Sequence, residues 1–311
     1  MPPKVALITG GASGIGLAVA KALSALPDWE IHILDINTER GEKTADTLTR
    51  TTFHYADVTK YSVLGEAFQT AFQVRQRLDF VFANAGLIER FNFYEANPVR
   101  TGDTVPPPPE PDLLSIVVDL KGAILTTYLT QHYFLASPGQ GVGASIVMTA
   151  AADFGVVGFM RSVAQHFKAR GVRANAICPG IVRTDLVDQN GWDAFPQHRF
   201  TEMEAVVGVV LQLVGVGEGD AAAAAAAAAR GKDQDEGKGQ VNGEGNAKGQ
   251  DGPGLTDATG THIPTERLFG QAVEISDSGV YFRAQHEFCD EGMREVMAAT
   301  VLENQVGAIL N

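Results

Sequence analysis

Eight residues near the N-terminus restrict the fold of this chain more than any other stretch: Thr9-Gly10-Gly11-Ala12-Ser13-Gly14-Ile15-Gly16. They join the apolar run Lys4 to Thr9, which predicts a strand, to Gly14 to Leu26, where apolar residues recur at helical spacing until Pro27. Glycines at such a junction allow a tight turn and let the backbone approach a pyrophosphate at the helix N-terminus. The pattern therefore predicts the first strand and helix of a dinucleotide-binding fold.

A carboxylate follows at the distance that this fold requires. Asp35 ends the second predicted strand, nineteen positions after Gly16, where it can accept hydrogen bonds from both ribose hydroxyls. Its charge would repel the 2′-phosphate of NADP, and no Arg or Lys lies within the glycine loop or directly after Asp35. NAD is therefore expected in preference to NADP. Asp35 could also serve as the N-cap of the following helix, a role compatible with the same geometry.

Short β-rich runs and helical periodicity alternate along the first 216 residues, as is typical of βαβ units on a parallel sheet. The predicted strands are Lys4 to Thr9, Glu30 to Asp35, Thr52 to Tyr55, Leu78 to Phe82, Ala144 to Thr149 and Val172 to Ile177. The predicted helices are Gly14 to Leu26, Thr38 to Arg50, Lys60 to Val74, Leu113 to Leu135 and Val156 to Ala169. The expected fold class is α/β, a doubly wound and mostly parallel sheet of the Rossmann type in a single domain.

Two stretches interrupt the alternation. The run Pro106 to Pro109 predicts an extended insertion over the surface between Leu87 and Asp112. From Gly217 to Gly254, nine alanines, Ala221 to Ala229, lead into a polar mixture with almost no apolar residues. Such a composition cannot offset its ordering entropy, so we expect disorder there, with at most transient helix in the alanines.

This polar stretch sets the expected domain organisation. Residues 1–216 form the dinucleotide-binding domain, residues 217–254 the low-complexity disordered insertion, and residues 255–311 a C-terminal extension that packs on the same domain. The insertion interrupts one domain because neither flank has a core of its own. In the extension, Ala272 to Ser276 and Val280 to Arg283 predict two short strands, and Glu291 to Asn304 predicts a closing helix.

The net charge and the cysteine count restrict which binding partners and which cellular compartment are expected. A net charge of −13 repels a phosphate backbone, so nucleic acid is not an expected partner. The two cysteines, Cys178 and Cys289, are too few for a disulfide framework and lack metal-ligand spacing, so no metal is expected. No leader segment or membrane-length apolar run is found in the sequence. A cytoplasmic protein with a small-molecule substrate is the expectation, and a homo-oligomer is left open.

Several motifs in the same order resemble the classical short-chain dehydrogenase/reductase family. Its signature Thr-Gly-x-x-x-Gly-x-Gly is filled by Thr9, Gly10, Gly14 and Gly16. The resemblance runs over roughly residues 4 to 215. It implies an adenine contact at Asp57-Val58, a cofactor contact at Asn84-Ala85-Gly86 after strand 4, the motif Pro179-Gly180 after strand 6, and Thr184 at the nicotinamide carboxamide. The expected cofactor contacts are Gly10, Ser13, Gly14, Ile15, Gly16, Asp35, Asp57, Val58, Asn84, Ala85, Gly86, Pro179, Gly180 and Thr184.

The resemblance also implies a reaction, hydride transfer between a nicotinamide and a secondary alcohol or ketone. The family uses a tyrosine as acid or base, a lysine four residues later, a serine and an asparagine. The lysine is needed because a phenol of pKa near 10 works at neutral pH only beside a cation. None of the six tyrosines here has a lysine four residues later. Ala151 stands at the serine position and Asp119 at the asparagine position.

The short interval between the fifth predicted strand and the following helix accounts for the missing tyrosine, lysine and serine. Only a few residues separate the end of strand 5 from Gly155-Val156-Val157-Gly158-Phe159, which resembles the middle of the family's active-site helix. The family places its substrate loop and its Tyr and Lys in that interval, so an internal deletion is the interpretation. The ionisable groups nearby are Asp153, His132, His166 and Lys168, for which surface solvation or core hydrogen bonding is the expected role. Asp153 is the least implausible substitute by position, but the ordinary pKa of an aspartate makes it a poor proton donor at neutral pH.

Three hypotheses remain open from the sequence. The first, which we favour, is an NAD-dependent oxidoreductase of this type that is inactive or impaired. The second is a catalytically silent NAD-binding protein with an interaction or regulatory role. The third is an incomplete sequence of an active dehydrogenase.

Overall fold

The computed structural model describes residues 2–88, 105–150, 154–186, 192–193, 195–230 and 253–284. Its strands are β1 Lys4–Thr9, β2 Trp29–Asp35, β3 Thr51–Tyr55, β4 Phe80–Ala83, β5 Ser145–Thr149, β6 Arg173–Pro179, β7 Gly254–Thr256, β8 His262–Pro264, β9 Ala272–Ser276 and β10 Gly279–Arg283. Its helices are α1 Gly14–Ser24, α2 Thr38–Thr47, α3 Tyr61–Arg75, α4 Leu114–Ile116, α5 Gly122–Ala136, α6 Phe154–Ala169, α7 Met203–Val214 and α8 Glu218–Arg230. A π-helical turn, Val117–Lys121, links α4 to α5.

Eight of these strands form one sheet in the order β10-β9-β6-β5-β4-β1-β2-β3. Neighbouring strands are parallel except β9 and β10, which pair antiparallel. From β1 the chain proceeds outward to β2 and β3, and from β4 it proceeds the other way to β5 and β6. The predicted doubly wound Rossmann sheet is confirmed, and its topological switch point lies between β1 and β4. In open α/β sheets, ligands bind in the crevice at the carboxyl ends of the strands at that point.

Continuous apolar runs in the central strands reflect burial on both faces. One face carries α1, α7 and α8, and its core includes Ile31, Ile33 and Val210. The other face carries α3, α5 and α6, and its core includes Leu64 and Phe134. These two cores hold the strand ends in register beneath the crevice.

The alanine run forms a packed helix, which differs from the predicted disorder or transient helix. Glu218–Arg230 forms helix α8, which packs against α1 and α7 instead of being disordered or transiently helical. Ala221, Ala224 and Ala225 are buried within the same apolar cluster as these two helices. Alanine has the highest helix propensity, and its small side chain lets helices approach closely, so the run needs no large apolar residue to pack. Residues 231–252 lie outside the described residues, so the expectation of disorder there stays a prediction.

The C-terminal extension joins the same sheet. The predicted strand Ala272 to Ser276 is β9, which pairs with β6, and the next predicted strand is β10. An antiparallel pair, β7 and β8, precedes them and was not predicted. Residues 105–113, which include the proline run Pro106 to Pro109, have no regular secondary structure and are exposed, whereas residues 89–104 lie outside the described residues. The predicted helix Glu291 to Asn304 and Cys289 lie outside the described residues, whereas Cys178 is a free thiol on β6.

Two features are absent from the described ranges. No helix in them is long and apolar enough to cross a membrane. No group of three or more His, Cys, Asp or Glu side chains in them is placed to hold a metal ion.

Candidate dinucleotide-binding site

The glycine loop occupies the switch point, directly after β1. Gly10 and Gly14 have φ of +65° and +53°, in the left-handed region that L side chains rarely adopt. A Cβ on Gly10 would lie 2.9 Å from the Cα of Ala85, and a Cβ on Gly16 would collide with the carbonyl of Gly10. Glycine at these positions is therefore a steric requirement of the turn that starts α1.

The N-terminus of α1 points out of this turn. Ser13 is the N-cap, its side chain makes no capping hydrogen bond, and the first helical turn, which the structure describes in full, carries no acidic residue. The positive end of the helix dipole and its backbone N–H groups therefore face the crevice without a bound carboxylate from the helix itself. Such a terminus is a site for an anion.

A polar network ties the loop to the neighbouring strands. Asn84 and Ala85 donate their backbone N–H groups to Thr9 Oγ1, at 3.0 and 3.1 Å. Thr149, the last residue of β5, donates its hydroxyl to Asn84 Oδ1 at 2.9 Å. The strand ends β1, β4 and β5 are thus fixed to one another by side chains beneath the crevice. Asn84 and Ala85 were predicted site residues, whereas Thr149 was not, because no local pattern marks it.

Asp35 ends β2 beside the glycine loop. Its Oδ2 accepts the backbone N–H of Ala12 at 3.1 Å, and its Oδ1 accepts that of Asn37 at 2.9 Å. The side chain of Asn37, not that of Asp35, caps α2 by accepting the N–H of Arg40. The alternative role of Asp35 as N-cap is therefore wrong, since that role belongs to Asn37. A carboxylate oxygen has more than one acceptor site, so Asp35 can still accept hydroxyl groups.

Asp57 and Val58 lie at the carboxyl end of the adjacent strand β3. The Asp57 carboxylate accepts the backbone N–H and the hydroxyl of Thr59, at 2.9 and 2.6 Å. Val58 is buried against Gly122, at the start of α5. These contacts shape the wall of the crevice next to Asp35.

Asp119, at the family's asparagine position, lies in the π-helical turn before α5. Its Oδ1 accepts the backbone N–H of Leu87 at 2.8 Å and lies close to Gly86. Asp119 therefore anchors Leu87, the residue directly after Asn84-Ala85-Gly86. Single π turns occur often at functional sites because they reposition a side chain without ending the helix.

The loop after β6 completes the crevice. Gly180 donates its N–H to the carbonyl of Ile275 on β9, at 2.7 Å. Farther along, Thr184 lies over the glycine loop, with its Cγ2 3.3 Å from the position of a Cβ on Gly14. The predicted residues Pro179, Gly180 and Thr184 thus belong to one segment that runs from β6 toward α1.

The side chains considered as substitute acids or bases do not lie together at the crevice in the described part of the chain. Ala151 and Asp153 lie outside the described residues. His166 is in the last part of α6, bonded to Gln131 and Arg170. Because α6 runs away from the carboxyl edge, His166 and Lys168 lie toward the opposite edge of the sheet. His132 is exposed late in α5. These three side chains are not brought to the crevice.

A sheet of this order with a glycine loop at its switch point defines a Rossmann-type dinucleotide-binding protein. The model of the family "short chain dehydrogenase" matches residues 4–193. The chain belongs to the short-chain dehydrogenase/reductase family of oxidoreductases, whose members bind NAD(P).

Relatives agree with that assignment, and solved structures share the fold. The short-chain dehydrogenase/reductase prx7 of Penicillium rubens is 57% identical, over 96% of this chain and 100% of the relative. Human 15-hydroxyprostaglandin dehydrogenase [NAD(+)] is 30% identical, over 60% of this chain and 70% of its own length. A 3-ketoacyl-(acyl-carrier-protein) reductase from Brucella melitensis, solved with NADH, shares the fold with a TM-score of 0.57 and 21% identity, covering 68% of this chain and 91% of that one. A Burkholderia cenocepacia short chain dehydrogenase solved with NADP gives 0.56 and 21%, covering 70% and 93%.

Proposed function

We propose that this chain is an NAD-binding oxidoreductase-family protein that prefers NAD to NADP. The observation that carries the proposal is the glycine loop, whose turn has no room for a Cβ at Gly10 or Gly16 and opens the N-terminus of α1 beside Asp35. That arrangement accepts a phosphate group and a ribose side by side.

In this proposal each part of the crevice holds one part of the dinucleotide. The backbone N–H groups of Ser13 to Gly16 hold the pyrophosphate, and Asp35 accepts the ribose hydroxyls. Asp57 and Val58 lie against the adenine, while Asn84 to Gly86 and Thr184 line the path toward the nicotinamide. When bound, NAD supplies the acceptor or donor of a hydride for a small alcohol or carbonyl compound.

The preference for NAD is attributed to the charge of Asp35. A 2′-phosphate would lie next to this carboxylate, and like charges at close range in a crevice repel each other. The human relative is named for NAD(+), which is consistent with this preference.

The first prediction concerns this preference. In calorimetric titrations of the purified chain, NAD should bind at least about tenfold more tightly than NADP, since the charge repulsion and the lost ribose hydrogen bonds each amount to about 1 kcal/mol or more. Asp35→Ala should bring the two dissociation constants together, mostly by weakening NAD. Asp46→Ala, which removes an exposed carboxylate from α2, is the matched control. Equal affinities in the unmodified chain would exclude the preference.

We further propose that hydride transfer by this chain is severely impaired. The complete set of six tyrosines lacks a partner lysine four residues on. Asp119 already accepts a backbone N–H and anchors a loop, so its carboxylate serves the structure of the crevice. Positioned acid–base groups contribute typically about 10²–10⁴ in rate, and a lysine at the nicotinamide ribose also orients the reacting carbon.

The second prediction follows from that loss. With saturating NADH and a panel of ketones and aldehydes at neutral pH, NADH oxidation should stay at background while NADH binding is retained. Inserting a family-like segment with Ser, Tyr and Lys between Thr149 and Val156 should raise the rate by about 10² or more.

One finding favours a second candidate, an active oxidoreductase. The Penicillium rubens relative named as a short-chain dehydrogenase/reductase matches over its full length. Robust turnover that Asp153→Asn abolishes, with NADH binding intact, would select this candidate and identify a carboxylate as the proton-transferring group.

A further inference from the structure

The loop after β6 reaches across most of the carboxyl edge of the sheet. Residues Ile181 to Leu186, here called the strap, begin shortly after β6. Near the other end of the strap, Asp185 forms an ion pair with Arg40 on α2. Between β6 and β2, the strand before α2, the sheet places β5, β4 and β1. The strap therefore passes over the switch point and joins elements on either side of the crevice.

An ion pair holds the far end of the strap. Arg40 Nη1 lies 2.9 Å from Asp185 Oδ2, and the two side chains are 51% and 66% exposed. Exposed pairs of this kind contribute little to folding stability, because water screens them and their side chains lose entropy. Stability alone therefore gives little reason for a pair at this place.

The position of Asp185 gives a different reason. Thr184, its neighbour, lies against Gly14 at the N-terminus of α1. The carboxylate of Asp185 is thus held near the place where the proposed function puts two negatively charged phosphates. Without a counter-charge, that carboxylate would raise the energy of any anion bound at the glycine loop.

Arg40 supplies the counter-charge from a fixed position. Its backbone N–H is bonded to Asn37 Oδ1 at 3.0 Å, and the N–H of Asn37 is bonded to Asp35 Oδ1 at 2.9 Å. The guanidinium therefore extends from the end of the crevice where Asp35 lies toward the glycine loop. A guanidinium has five donors and can bind a phosphate while its stem stays in place.

We infer that Arg40 is a further binding residue for the pyrophosphate of the dinucleotide, not for a 2′-phosphate, and that Asp185 holds its guanidinium over the glycine loop until the pyrophosphate replaces the carboxylate. This inference rests on the proposed function. It gives the two partners of one ion pair opposite effects on binding. Loss of Arg40 removes an attraction and leaves Asp185 unpaired, whereas loss of Asp185 removes a repulsion and frees Arg40.

The test is a fluorescence titration of NADH and a calorimetric titration of ADP-ribose with Arg40→Gln, Asp185→Asn and the double variant. Arg40→Gln should weaken binding about threefold to tenfold, as expected for one partly exposed charged contact. Asp185→Asn should tighten binding about twofold to fivefold on the same grounds. Adenosine, which has no phosphate, should bind all forms alike, and raising the salt to about 0.5 M should shrink both effects.

A second Arg–Asp pair provides the matched control. Arg199 Nη1 also lies 2.9 Å from an aspartate, Asp277, in the turn after β9 and away from the glycine loop. Arg199→Gln and Asp277→Asn should leave NADH binding unchanged. Melting temperatures of all variants report whether they are folded.

The outcomes separate the inference from the proposed function. If the unmodified chain binds neither NADH nor ADP-ribose, both fail. If it binds them but Arg40→Gln and Asp185→Asn weaken binding alike, the pair is only a structural clasp and the inference fails alone. The same holds if neither substitution changes binding, or if adenosine binding changes as much as NADH binding.

Discussion

At the scale of single residues, two histidines contact each other across neighbouring strands, the buried His32 on β2 and the half-buried His54 on β3. His32 Nδ1 and His54 Nε2 are 2.9 Å apart, and His32 has no exposed surface. Burial and the neighbouring His54 lower the pKa of His32 to about 4. Burial outweighs the attraction of the Glu30 carboxylate, whose Oε1 is 3.8 Å from His32 Nε2 and whose other oxygen is bonded to Arg75. The folded chain therefore holds His32 in its neutral form at neutral pH.

Acid should destabilise the protein through this residue. The unfolded chain takes up a proton at His32 near pH 6.5, whereas the folded chain does so only near pH 4. Stability present above pH 6.5 is therefore lost as the pH falls from 6.5 to 4, at up to about 1.4 kcal/mol per pH unit and on the order of 3 kcal/mol in total.

Urea unfolding at several pH values between 4.5 and 7.5 measures this loss. His32→Leu should flatten the pH dependence of the unfolding free energy, while His198→Leu, at an exposed histidine, should leave it unchanged. Identical slopes in the unmodified chain and His32→Leu would show that other groups govern the acid response.

Some residues of the dinucleotide-binding site could be predicted from the sequence, and others could not. Gly10, Gly14, Gly16 and Asp35 were predicted because the spacing of a strand, a turn and a helix fixes their places. The contact of Arg40 with Asp185 joins residues 145 positions apart, so no local pattern announces it. Only the course of the loop after β6 brings them together.

At the scale of elements, α8 shows how a low-complexity sequence can pack. Ala221, Ala224 and Ala225 recur at the spacing of one helical face and are buried, while Ala222 and Ala223 are exposed. Composition alone suggested disorder, because the run contains no large apolar residue. The prediction was wrong because a row of methyl groups permits a close approach of helices, which makes up for the small apolar area of each alanine.

Two adjacent alanines test this packing. Ala224→Asp places a charge in the interface of α8 with α1 and α7 and should lower the unfolding free energy by about 3 kcal/mol or more. Ala223→Asp, with the same helix propensity cost on the exposed face, should lower it by less than about 1 kcal/mol. Thermal unfolding followed by circular dichroism compares them. Equal effects would mean that α8 does not contribute to the core.

At the scale of the whole molecule, the parallel sheet could be predicted from the alternation of strand-like and helix-like runs along the sequence. Six parallel strands were predicted with bounds within a few residues, as were the two strands of the extension. The order of β9 next to β6 was not predicted, because the pairing of a late strand with an early one depends on which edge is left uncovered. The short hairpin of β7 and β8 escaped because its strands have three residues each.

The pairing of β6 with β9 has a consequence for how the molecule is made. The chain from the end of β6 to the start of β9 includes α7, α8 and the polar stretch after them. At about 5–20 residues per second, a ribosome needs on the order of 5 to 20 seconds to synthesise it. During that interval the nascent sheet has β6 as its outer strand, with unpaired backbone groups beside Ala176 and Ile177 that can template pairing with another chain. A nascent chain that stalls in the polar stretch therefore has β6 as an unpaired edge strand that is prone to aggregation. The edge is covered only when β9 has been synthesised and pairs with β6.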